Sequence, residues 1–229
     1  MKRLLAVILL SIAIFIFISE SQCAEKHAEP ANTYSDNRII YVDLLNLTLE
    51  LIDLNENKIL KTYKIAVGKY DTPSPIGSFK IVFKDKWGEG FGTHFMGINV
   101  PWGKYGIHGT DKPASIGWPS SHGCIRMKNQ DIKELYQLVF IGTKVIIYGG
   151  PFGSFGNGLR TLKPGDRGAD VYEVQRIMKE KGYYPLNVDG IYGEGMKAYV
   201  LKYRKDHNMT ASHNIDMEFY NKLGIILFE

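Results

Sequence analysis

The hydrophobic period of this chain changes once, and that change constrains its architecture more than any other feature. Residues 149–158 read GGPFGSFGNG, half of them glycine. Before this segment the apolar positions alternate. Leu47, Leu49 and Leu51 point one way while Thr48, Glu50 and Ile52 point the other, the period-two pattern of a strand with one buried face. Strand-like stretches also occupy 39–43, 59–67, 78–84, 95–100 and 144–148, separated by turn signals such as Asn55-Glu56-Asn57 and Thr72-Pro73-Ser74-Pro75. Many short strands spaced by turns indicate a sandwich or barrel. One helix is expected over 129–140, with Asn129 as its cap. After the glycine-rich segment the period becomes helical. Val171, Val174 and Met178 recur at i, i+3 and i+7 until Gly182; Met196, Val200 and Tyr203 repeat the pattern; Asp216 can cap a third helix carrying Phe219, Tyr220 and Leu223. The expected fold is a mainly β, β-sandwich-like domain with one short helix at 38–148, a Gly-rich linker at 149–162, and a small all-α domain at 163–226. The linker is expected to be a flexible joint.

The N-terminus has a different character. Met1-Lys2-Arg3 precedes an apolar run from Leu4 to Ile18, broken only by Ser11. This is too short for a permanent membrane span of about 20 residues. It matches a secretory signal of residues 1–23, with Ser21 and Cys23 as the small residues before the cut. The alternative is an uncleaved anchor; either way the membrane is met only through this segment. Residues 24–37 read as a polar tether. Cleavage would remove Cys23 and leave Cys124 as the one cysteine of the exported chain. A lone thiol outside the cell forms no intramolecular disulfide, so it is either buried or used. The formal net charge of +4 is too small and too dispersed for a nucleic-acid binder.

The segment 107–127 reads IHGTDKPASIGWPSSHGCIRM and gathers His108, His122, Cys124 and Arg126 among glycines. If 121–127 is extended, His122, Cys124 and Arg126 share one face, and Gly123 lets a substrate backbone approach closely. A thiolate is a strong nucleophile, although a free thiol ionises only near ~8.5. An imidazole can take its proton, an arginine can bind a carboxylate or polarise a carbonyl, and the N–H groups of Gly123 and Cys124 could form an oxyanion hole. Acyl transfer through a thioester is the implied chemistry. On spacing alone either histidine could be the base. Zinc is the competing use of two histidines and a cysteine, but no HExxH or paired CxxC supplies the usual ligand spacing. No metal or cofactor is expected. Trp118 either lines the cleft or packs it, Asp111 reads as a turn residue, and His27, His94, His207 and His213 have no chemical neighbours in sequence.

His108-Gly109-Thr110 followed by Ser121-His122-Gly123-Cys124-Ile125-Arg126-Met127 resembles the signature of the L,D-transpeptidase catalytic domain family, and 72–79 resembles a second segment of that family. The resemblance implies an enzyme, an acyltransferase acting on peptidoglycan. Cys124 would be the nucleophile and His108 the proton donor and acceptor, with Ser121, His122, Gly123 and Arg126 supporting. Ser121 would orient the histidine through its backbone. The cysteine would attack the carbonyl between the diamino acid and D-Ala of a tetrapeptide stem, release D-Ala and build a 3→3 cross-link. The tail resembles a three-helix peptidoglycan-binding domain, through Leu162-Lys163-Pro164-Gly165-Asp166-Arg167-Gly168 and Asp189-Gly190-Ile191-Tyr192-Gly193. Stem peptides and glycan are thus the implied partners, at the cell wall. On a flexible joint the tail would tether the enzyme to the wall without positioning reacting atoms. Two alternatives stay open: an L,D-carboxypeptidase with water as acceptor, and a wall-binding protein without activity.

Overall fold

The computed structural model describes residues 37–86, 88 and 92–227. The expected signal segment and all of the tether but Asn37 lie outside them. Among the described residues no helix is long and apolar enough to cross a membrane.

The N-terminal domain is mainly β. Its strands are β1 (Arg38–Asp43), β2 (Thr48–Asp53), β3 (Lys58–Lys64), β4 (Val67–Gly68), β5 (Gly77–Asp85), β6 (Phe95–Ile98), β7 (Tyr105–His108), β8 (Pro119–Ser121), β9 (Ile125–Arg126) and β10 (Lys144–Tyr148). Eight of them form one sheet in the order β3-β2-β1-β10-β5-β6-β7-β9, and β4 pairs with β8. Neighbours in the eight-stranded sheet are antiparallel except β1 with β10 and β7 with β9, and the β4–β8 pair is parallel. The two ends of this order meet. Ala66, just after β3, bridges Arg126 of β9 through N–H···O bonds of 2.9 and 2.8 Å. The sheet therefore curls on itself, and a register irregularity in β5 between Ile81 and Phe83 provides a bend. The layers expected of a sandwich are two parts of one curled sheet.

Inside the curl, Ile40, Val42, Leu49 and Leu51 pack with Ile107, Ile125 and Met127, and with Ile132 and Leu135 of helix α1 (Asn129–Leu138). Each such side chain contributes roughly 1.5–3 kcal/mol on burial. Leu49 and Leu51 are inside as the alternation requires, whereas Leu47 sits in the β1–β2 turn at φ +55°. Two expectations for α1 change. Lys128, not Asn129, flanks its start, without a side-chain cap. The helix also stops before Phe140, because Lys84 Nζ donates to the carbonyls of Tyr136 and Val139, both at 2.6 Å, ending the ladder where carbonyls have no helical partner.

The C-terminal domain is helical: α2 (Ala169–Glu180), α3 (Glu194–Asp206) and α4 (Met217–Leu223). Gly182 ends the first at φ +78°, and the Asp216 carboxylate caps the third by accepting from Phe219 N–H at 3.0 Å. Val171, Val174, Met178, Met196, Val200, Tyr203 and Phe219 form a second core. Buried Gln175 ties the 189–191 turn to α2, its carbonyl accepting from Gly190 N–H at 2.7 Å.

The glycine-rich joint is folded rather than loose. A side chain at Gly149 would stand 2.3 Å from Ile76, and one at Gly150, φ +145°, would meet the Gly156 carbonyl at 2.4 Å. Phe155 packs edge-on against Tyr220 at 5.9 Å. Here the glycines serve close approach and positive φ, not freedom. Ala169, Tyr172 and Ile191 of the C-terminal domain lean on the N-terminal core.

Candidate active site

The sheet seam positions the chemical residues. β9 lies parallel to β7, pairing Ile125 with Ile107 and Arg126 with His108. Cys124 immediately precedes β9, and its thiol receives the backbone N–H of Gly106. Gly106 and His108 lie on one face of β7, because strand side chains alternate. The register thus sets His108 beside Arg126, two residues after Cys124.

His108 is 3% exposed and stacks on Phe95 at 5.8 Å. Its Nδ1 lies 2.6 Å from the Gly109 carbonyl oxygen. That oxygen only accepts, so Nδ1 carries the hydrogen. The backbone support expected from Ser121 comes from Gly109 instead. The Ser121 carbonyl is occupied by the Thr72 hydroxyl and Lys69 N–H, both at 3.1 Å.

Ser121 has another task. It is fully buried, and its hydroxyl donates to the Cys124 carbonyl at 2.6 Å while accepting from Gly123 N–H at 3.0 Å. This clamps the turn before the nucleophile. It also removes Gly123 N–H from the expected oxyanion hole; the Cys124 N–H has no partner among the described residues and stays available. The turn exists because Gly123 adopts φ +112°. That turn breaks the extended run expected over 121–127. His122 consequently points to solvent, while Cys124 and Arg126 are half-buried, and the three do not share a strand face.

Burial pushes the Cys124 thiol up; the Gly106 N–H and the Arg126 guanidinium pull against it without cancelling it. Arg126 also donates to the Ser120 carbonyl at 3.4 Å. Trp118 is 67% exposed, so it does not pack the loop. Gly117 N–H binds the Ile65 carbonyl at 2.9 Å and pins that loop to the sheet. Among the described residues no group of three or more His, Cys, Asp or Glu could hold a metal ion.

Three contributors escape a reading of the sequence: Gly106, Gly109 and Tyr105. The Tyr105 ring lies against Gly123, where a Cβ would come within 2.6 Å of it. The one signal in the sequence is the pair of glycines flanking Ile107-His108, where backbone, not side chain, is the working group.

Residues 37–147 match the L,D-transpeptidase catalytic domain family, and 167–223 match the "Putative peptidoglycan binding domain" family. A Bacillus subtilis relative, "Putative L,D-transpeptidase YkuD", is 46% identical over 102 residues, 44% of this chain and 58% of its own. Another, "Putative L,D-transpeptidase YqjB", is 34% identical over 123 residues, 47% of this chain and 70% of its own. The Enterococcus faecium L,D-transpeptidase catalytic domain, solved by NMR, is 27% identical, with 50% of this chain and 98% of that one aligned at a TM-score of 0.43. The fold is that of a curled-sheet domain joined to a helical one, and the chain belongs to the L,D-transpeptidase family. It spans 58% and 64% of the length of the first two Bacillus relatives.

Proposed function

We propose that the chain is an exported L,D-transpeptidase that forms 3→3 cross-links in peptidoglycan. The observation that supports this reading is the β7–β9 seam, whose register pairs His108 with Arg126, two residues after Cys124. His108 Nε2 takes the thiol proton as sulfur attacks the carbonyl of the diamino acid in a tetrapeptide stem. The Cys124 N–H faces the developing oxyanion. The C–N bond to D-Ala breaks, and His108 returns the proton to the leaving amine. A side-chain amine of a second stem then attacks the thioester, its proton passes to His108, and the thiol is regenerated. Arg126 adds positive potential beside the sulfur. The helical domain binds the wall, and residues 1–23 direct export.

Mass spectrometry of muropeptides after incubation with the purified protein tests this. Cross-linked dimers that require Cys124 are expected. Trimmed tripeptides alone would reassign the acceptor to water, and unchanged muropeptides would reject an enzymatic role.

A further inference from the structure

The C-terminal domain is wired to the nucleophile by packing. Trp102, 5% exposed, stands between Phe79 at 5.9 Å and Tyr172 of α2 at 6.0 Å. Gly190 of the C-terminal domain lies so close that a Cβ there would come within 2.5 Å of the Trp102 ring. Trp102 belongs to the core against which the Tyr105 ring packs. Tyr105 lies against Gly123, the residue before Cys124. The C-terminal domain thus packs directly on Trp102, which a tether would not produce.

At the same junction the C-terminal domain carries an exposed cation. Arg167 immediately precedes Gly168 and α2, and its backbone bridges Ile191, one of the residues leaning on the N-terminal core. Its guanidinium is exposed and forms no ion pair among the described residues. Gly168, the next residue, donates its N–H to the Gly190 carbonyl at 3.0 Å, which sets Arg167 next to the Gly190–Trp102 contact; the Arg167 charge also opposes the rise that burial gives the Tyr105 phenol. Nearby Arg160 differs, being held by Asp166 and Asp170 at 3.1 and 2.7 Å.

We propose that Arg167 is a substrate-positioning residue: it binds the terminal carboxylate of a stem peptide lying across Tyr105 toward Cys124, so that the C-terminal domain forms one wall of the catalytic cleft. This rests on the acyl-transfer reading above. A guanidinium presents a planar fork that matches a carboxylate, and charge-assisted bonds of this kind are among the strongest available. Losing one reduces kcat/KM about tenfold to a hundredfold.

The test compares a soluble tetrapeptide stem bearing a free terminal carboxylate with its C-terminal amide, using full-length protein. Wild type should prefer the free acid by about tenfold or more. Arg167→Ala should bring the two substrates close to parity, by raising KM for the free acid, and Arg167→Lys should restore part of the preference. Alkylation of Cys124 by iodoacetamide, a neutral probe, should be equal in wild type and variants. A preference that persists in Arg167→Ala, or is missing from wild type, would overturn the proposal while leaving acyl transfer intact. Absence of D-Ala release from either peptide would instead overturn the transpeptidase reading, and this proposal with it.

Discussion

Adding one methyl group at Gly123 should damage the protein out of proportion to its size. The residue sits at φ +112°, and a Cβ there meets the Tyr105 ring at 2.6 Å and the Pro73 carbonyl at 3.1 Å. Forcing a side chain into such backbone geometry costs about 1–3 kcal/mol, and overpacking against a ring adds about 1–3 kcal/mol. If the turn holds, a total of about 3 kcal/mol should lower Tm by roughly 6–12 °C. If the turn yields, Cys124 moves, and a misplacement near 1 Å costs about 10²-fold in rate. Gly117→Ala is the control: φ is +92° there too, but nothing lies within 4 Å of the added carbon. Calorimetry together with D-Ala release from a soluble stem peptide should show Gly123→Ala losing Tm, rate or both. Gly117→Ala should keep a rate near wild type. A Gly123→Ala protein with wild-type Tm and turnover would refute the argument that this turn, clamped by Ser121, positions the nucleophile.

Three further outcomes follow from the same geometry. His108→Ala should reduce D-Ala release about 10²–10⁴-fold, the usual cost of losing a general base, while exposed His122→Ala should lose far less, as steady-state kinetics on both will tell. Because burial raises the Cys124 thiol, the reactive thiolate is scarcer at neutral pH than in free cysteine; iodoacetamide alkylation should keep climbing above the ordinary value of about 8.5, and Arg126→Gln should move that profile to still higher pH. Asp216→Ala should loosen the helical domain by about 1–3 kcal/mol, since it removes the Phe219 cap and the 2.7 Å partner of buried Arg204, with faster hydrogen exchange in α4 as the readout. Burial pushes the Asp216 carboxyl up, but Phe219 N–H and Arg204 outweigh it and hold it low. The stabilisation is therefore complete above the unfolded value of about 3.9 and is lost as pH falls through the folded one.

What could be read from the sequence was whatever side-chain type or periodicity encodes. Leu49 and Leu51 announced a one-faced strand, Val171, Val174 and Met178 a helix, and Asp216 a cap, and each occupies the expected place. Strands β8 and β9 were not legible, because they have three and two residues, too few for a period to show. The extended reading of 121–127 failed at Gly123, where one positive φ undoes alternation. The supports of the site were hidden for a different reason: Gly109 acts through its carbonyl and Gly106 through its N–H, and backbone groups leave no signature of type. The close packing of the 149–158 joint was not legible because composition cannot distinguish glycine chosen for freedom from glycine chosen for lack of a side chain. Gly150 and Gly149 are of the second kind.

The central claim is that Cys124 carries the acyl group. Full-length protein quenched during turnover of a tetrapeptide stem, digested and analysed by mass spectrometry, addresses it directly. The account predicts a peptide containing Cys124 that gains the mass of the acyl-tripeptide, and no adduct in Cys124→Ala, which should stay folded. D-Ala release by Cys124→Ala, or an adduct mapped to any other residue, would contradict it.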